Sequence, residues 1–180
     1  MIIEIMSKEK IQEYAYSRHD EKTAVISISN HDENFPMLLD SPNNCIDVQC
    51  RVRFNDVELG IYNCITDDEA KKIVSFVNEV AGKKDKLIVQ CGYGVSRSAG
   101  VAAAIMKHFA GNDMLIWGNP RYRPNIACYR KVMAAFHEAI DESELSEKVA
   151  INRSFDFSPD NKEEKPRLIL LSENGEEMKI

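Results

Sequence analysis

The chain predicts an α/β domain, a three-layer sandwich with a mostly parallel central sheet flanked by helices. Short apolar runs of strand length alternate with stretches of helical apolar spacing along most of the sequence. Alternation of that kind implies a parallel sheet covered on both faces. With 180 residues, 44% of them hydrophobic, the chain is long enough for one substantial core.

The elements follow in order. Met1 to Met6 and Lys22 to Ser29 read as strands on either side of a helix near Glu9 to Tyr16. His31 to Asn44, rich in proline, asparagine and aspartate, reads as a long loop that shapes one wall of a cleft. Ile46 to Phe54 is the next strand. Thr66 then caps a helix from about Asp67 to Ala81, with Glu69 completing a capping box. Lys86 to Gln90 is a short buried strand, Ser98 to Phe109 a small-residue helix, and Asn125 to about Ile140 the last helix. Residues 1–145 are expected to form the domain and 146–180 a C-terminal extension. The DESELSEKVA run after Ile140 is expected to extend the last helix, and the later LILL run offers a short strand before a turn at Asn174 and Gly175.

The most informative stretch is LIVQCGYGVSRSA, from Leu87 to Ala99. A strand ends in Cys91, and Arg97 follows six positions later at the start of a helix. The intervening loop must wrap tightly, which Gly92 and Gly94 make cheap. Amides lining such a loop converge ahead of a helix N-terminus and make an anion site. Those donors and Arg97 would stabilise a Cys91 thiolate, and the guanidinium fork holds two phosphoryl oxygens at once. The bland alternative is a buried structural cysteine beside a helix-capping arginine. It leaves the glycines and the strand-to-helix position of Cys91 unexplained.

Cys91, Gly92, Tyr93, Gly94, Val95, Ser96, Arg97 and Ser98 resemble the signature loop of the cysteine-dependent protein tyrosine phosphatases, closest to the small dual-specificity branch with its bacterial members. Arg121, Pro124 and Asn125, ahead of an amphipathic helix, look like the segment that follows the signature helix there. The resemblance covers roughly Ala24 to Ile140 and implies a phosphatase-like fold. It also implies a Cys91 nucleophile, an Arg97 oxyanion binder, and a Ser98 that assists breakdown of a phosphocysteine. Phosphate or sulfate is expected in the loop. Tyr93 and Val95 would form the lip of the pocket, and Ser96 would donate to the loop or serve as an ordinary turn residue. Asn125 would either cap its helix or support the site. Arg121 and Arg123 would widen a positive rim or be solvated loop charges. The family usually places histidine before the cysteine; here Gln90 stands there, which hydrogen-bonds but carries no charge.

A leaving oxygen also needs a proton. Asp56 lies just beyond the strand ending in Phe54, at the end of the sheet where open α/β folds place working residues. It looks like the family's general acid. Asp67 and Asp68 are rivals, but the positive end of a helix already explains them. Glu58 is a third choice.

Composition narrows the rest. A net charge of −6 argues against a nucleic-acid backbone binder. No run reaches membrane-span length, and the charged N-terminal MIIEIMSKEK does not read as a signal peptide, so a cytoplasmic protein is expected. Five cysteines without a C-x-x-C pair suggest neither a disulfide framework nor structural zinc, and no metal or cofactor is expected. Cys50 or Cys64 could approach Cys91 as an oxidation partner, with core packing as the plain reading of Cys50. The expected activity is phosphomonoester hydrolysis on phosphotyrosine proteins, with phosphoserine, phosphothreonine or a small phosphomonoester as other substrates. The alternatives are an inactive phosphate-binding module, an arsenate reductase-like enzyme and an RNA 5′-triphosphatase-like enzyme.

Overall fold

The structure is a computed structural model that describes residues 1–38, 46–58 and 62–157, and the backbone of 168–169. Eleven elements follow one another: β1 (Ile2–Ser7), α1 (Lys8–Tyr16), β2 (Thr23–Ser29), β3 (Ile46–Arg53), α2 (Asp67–Val80), β4 (Lys86–Cys91), α3 (Arg97–Ala110), α4 (Met114–Trp117), α5 (Ile126–Ala135), α6 (Glu142–Ser154) and β5 (Leu168–Ile169). The sheet order is β3-β2-β4-β1-β5. The first four strands run parallel, and β5 closes the β1 edge antiparallel through Ile2 and Ile3. The central strands β2 and β4 are buried along their whole length, their polar Thr23, Ser27, Ser29, Lys86 and Gln90 included.

Side-chain alternation sorts the strands into two cores. Val25 and Ile88 join Ile11, Tyr14 and Ala15 of α1 on one face. Ala24, Ile26, Ile28, Leu87, Val89 and Cys91 face α2, α3 and α5 on the other. Three layers result, as the alternation predicts. The capping box at Thr66 and Glu69 forms, and Asp67 pairs with Lys131 at 2.6 Å, which lowers its carboxyl pKa. Asp67 therefore has a local occupation at the α2 N-terminus.

Two readings of helix extent need correction. The helix expected to reach Ile140 stops at Ala135, because His137 adopts φ 61° and breaks the ladder. The chain then restarts rather than extending. Asp141 caps a separate helix, accepting from the amides of Ser143 and Glu144. The short α4 has no counterpart among the expected elements.

Helix α6 crosses the expected boundary after residue 145. Its inward stripe is Leu145, Lys148 and Asn152, and two of these three are polar. Lys148 Nζ reaches Asp113 Oδ1 at 2.5 Å and Glu144 Oε1 at 2.6 Å. The Asn152 amide donates to the Trp117 and Tyr122 carbonyls at 2.8 and 3.1 Å. Asp113 also accepts from Trp117 Nε1 at 2.9 Å. Burial and the adjacent Asp113 together push the Tyr129 phenol far up.

Hydrogen bonds from Lys107 and Lys148 hold the Glu144 carboxyl at about 2, below its ordinary 4.5. A depressed folded-state pKa contributes stability above the unfolded value and loses it as pH falls through the folded one. Melting curves should therefore show wild type exceeding Glu144→Gln above about pH 5. That margin should shrink steadily between 4.5 and about 2. A margin that does not change with pH would remove Glu144 from the account.

Candidate active site

Cys91 ends β4 at the C-terminal edge of the sheet, buried to 2% exposure, and six residues later Arg97 opens α3. The loop between them is held from outside by its carbonyls. Gly92 O accepts from Lys8 N at 3.0 Å, Val95 O from Arg123 N at 3.0 Å, and Ser96 O from Asn125 N at 3.1 Å. A trans peptide points its N–H opposite its carbonyl. The amides of Tyr93, Ser96 and Arg97 thereby point away from those three partners. Gly94 sits at φ +69°, and a Cβ there would lie 2.7 Å from the backbone of Met6 and Ser7. Only glycine lets the loop press this closely on β1. Gly100 serves the same end one turn into α3, where a Cβ would meet Asn125 O at 2.3 Å.

The helix N-cap, Ser96, makes no capping bond with its side chain. Its hydroxyl instead donates to Asp56 Oδ1 at 2.7 Å. The first-turn amides of α3 thus receive no side-chain cap from Ser96. Arg97 is only 5% exposed. Its Nη1 donates to Asn30 Oδ1 at 2.7 Å and to the Phe54 carbonyl at 2.8 Å, while Nε has no partner among the described residues. Ser98 is fully buried, with its Oγ 3.0 Å from Cys91 Sγ.

Asp56 stands in solvent on the loop after β3, whose ends are tied by the Asn55 N to Asn63 O bond at 2.6 Å. Asn125 Nδ2 donates to the same Asp56 oxygen at 2.8 Å, and Asn125 Oδ1 accepts from Cys128 N at 2.9 Å. Asn125 therefore caps α5 with the oxygen of its buried amide and holds Asp56 with the nitrogen.

The remaining predicted residues separate. Tyr93 is 88% exposed at the lip of the loop, with Val95 half-buried. Gln90 is fully buried, but neither of its amide atoms has a partner among the described residues. It alternates with Cys91 and shares the α1 face with Ile88, so it stands behind the loop. The Arg123 guanidinium turns away to the Tyr122 and Phe155 carbonyls at 3.0 and 2.7 Å. Glu58 reaches Arg153 at 3.5 Å.

Cys50, Cys91 and Cys128 are free thiols; Cys45 lies outside the described residues. Cys50 is a core residue of β3, its thiol pushed up by burial. Sequence reasoning passed over Cys128, whose thiol is pushed well up by burial and further by Asp56 and Cys91. It also passed over Asn30 and the Phe54 carbonyl. The one signal available was the position of Asn30 at the carboxyl end of β2, on the working edge of the sheet.

Among the described residues no three His, Cys, Asp or Glu side chains form a metal-binding group, and no helix is long and apolar enough to cross a membrane. A separate cavity of 270 Å³, lined by Glu4, Lys10, Tyr14, His19 and Arg121 among others, includes no residue of the 91–97 loop.

No protein-family model matches the chain, and no curated protein matches it. Comparison with solved structures finds similarity to Tk-PTP in its active form, with a TM-score of 0.41 and 14% identity over 86% of this chain and 94% of that one. It also finds similarity to a variant of human DUSP28, with a TM-score of 0.37 and 15% identity over 83% of this chain and 86% of that one.

Proposed function

We propose that the chain hydrolyses phosphomonoesters through a phosphocysteine intermediate, with phosphotyrosine on proteins as the preferred substrate. The observation that carries this reading is the clustering around one loop. Cys91 lies at its mouth with Ser98 3.0 Å from its sulfur, Arg97 Nε is buried without a partner among the described residues, and Asp56 is tied to Ser96.

In the first step the Cys91 thiolate attacks phosphorus in line with the ester oxygen. The S–P bond forms as the P–O bond breaks. Loop amides and the Nε side of Arg97 stabilise charge on the other phosphoryl oxygens. Asp56 in its acid form gives its proton to the departing phenol or alcohol. In the second step water attacks phosphorus, Asp56 takes the proton back, and the S–P bond breaks to return thiolate and phosphate. Ser98 Oγ donates to the leaving sulfur. Ser96 and Asn125 hold one Asp56 oxygen, which leaves the other to meet the substrate oxygen. Tyr93, solvated at the lip, offers a ring face to an aromatic ester.

The test is hydrolysis of a small aryl phosphate with a chelator present, run beside an alkyl phosphate. Wild type is expected to turn over both. Asp56→Asn should lose about 10²-fold or more on the alkyl ester, the scale of general-acid catalysis, and much less where the leaving group needs no proton. Equal losses on both esters would take the acid role from Asp56. Phosphate binding without turnover in wild type would replace this reading with that of a phosphate-binding module.

A further inference from the structure

Resting on the phosphatase reading, we propose that Asn30 is a positioning residue that sets the orientation of Arg97 and so its grip on the phosphoryl group. Asn30 directly follows β2, 67 positions before the arginine, and its Oδ1 accepts from Arg97 Nη1 at 2.7 Å. The Phe54 carbonyl takes the same nitrogen at 2.8 Å. With Nη1 held on two acceptors, the guanidinium plane is fixed, and the Nε edge is the part left for an oxyanion. Nε is buried, and among the described residues no group bonds to it. A planar fork recognises two oxygens only when its plane is correctly turned, so fixing one nitrogen orients the others.

The amide of Asn30 is itself oriented. Its Nδ2 donates to Glu33 Oε1 at 2.8 Å, so the oxygen rather than the nitrogen faces Arg97. The short turn carrying both residues is clamped by Arg53 of β3. Arg53 Nη1 donates to the carbonyls of Asn30, His31 and Glu33 at 3.0, 3.2 and 2.5 Å, and the guanidinium lies 4.4 Å from the centre of the Phe35 ring. A chain of contacts therefore runs from Glu33 through Asn30 to Arg97, carried on a turn that β3 holds in place. An isolated loop contact would need none of this support.

The experiment measures affinity for inorganic phosphate and for vanadate, together with kcat and KM on an aryl phosphate. It compares wild type, Asn30→Ala, Glu33→Ala and the double exchange Asn30→Asp with Glu33→Gln. Asn30→Ala is expected to weaken phosphate and vanadate binding by about tenfold or more, the scale of a hydrogen bond to a charged group. It should lower kcat/KM by at least as much. Glu33→Ala, which frees the Asn30 amide to turn over, should give a smaller loss in the same direction. The double exchange swaps amide and carboxylate but keeps an oxygen on Arg97 and a hydrogen bond between positions 30 and 33. It should recover most of what Asn30→Ala loses.

Unchanged phosphate affinity in Asn30→Ala, with wild type binding and turning over normally, would overturn the role of Asn30 alone. A wild type that binds neither phosphate nor vanadate would overturn the phosphatase reading and this proposal with it. Losses in Asn30→Ala that follow its melting temperature, and that the double exchange does not recover, would reduce Asn30 to a structural tether.

Discussion

Cys91→Ser is expected to abolish turnover of aryl phosphate while phosphate still binds. A serine hydroxyl is far less nucleophilic than a thiolate, and removal of a nucleophile from such a group costs on the order of 10⁶-fold in rate. The anion site itself should survive. The carbonyls of Gly92, Val95 and Ser96 anchor the loop to Lys8, Arg123 and Asn125, and Arg97 is held by Asn30 and Phe54, none of which involves the Cys91 side chain. Steady-state rates and phosphate titration followed by ³¹P NMR separate the two properties. Retained hydrolysis in the variant would show that the nucleophile is elsewhere. Simultaneous loss of binding would mean that the sulfur, not the loop, organises the anion site.

The second large effect concerns stability. Asp113→Ala is expected to cost about 3–5 kcal/mol, the range for breaking one side of a buried ion pair. Asp113 is fully buried and holds Lys148 at 2.5 Å and Trp117 Nε1 at 2.9 Å. Its removal would leave a buried indole donor unpaired and Lys148 dependent on the partly exposed Glu144. Asp113→Asn keeps an acceptor for Trp117 and loses only the charge, so it should fall between the variant and wild type. Urea unfolding at neutral pH measures both. A loss below about 1 kcal/mol in Asp113→Ala would mean that α6 is held chiefly by Leu145 and the Asn152 amide.

The consequence reaches the site. Phe155, just past α6, accepts from the Arg123 guanidinium, and the Arg123 backbone N–H holds the Val95 carbonyl of the loop. Helix α6 therefore braces the 91–97 loop through one arginine. Charge and turn content set this stretch apart in sequence, because its docking stripe is largely polar. Lys148 and Asn152 bury themselves by finding partners on α4 and the segment after it, and hydropathy does not register such burial. The break between α5 and α6 was hidden for a related reason. His137 at positive φ has no glycine to announce it, and the Asp141 cap is recognisable only once the helix is known to restart.

The sequence by itself determined the order of strands and helices from β1 to α3, the capping of α2, and the placing of a cysteine, two glycines and an arginine at one strand-to-helix turn. Each of these is local chemistry, since apolar period, cap residues and glycine act within a few positions of themselves. Tertiary structure decided what meets across the chain. Asp56 joins Ser96 over 40 positions and Asn125 over 69, and Asn30 joins Arg97 over 67. Those pairs exist because a parallel sheet brings the carboxyl ends of β2, β3 and β4 to one edge, whatever their separation in sequence. A single asparagine or aspartate carries no local mark of the partner that such an edge will bring to it.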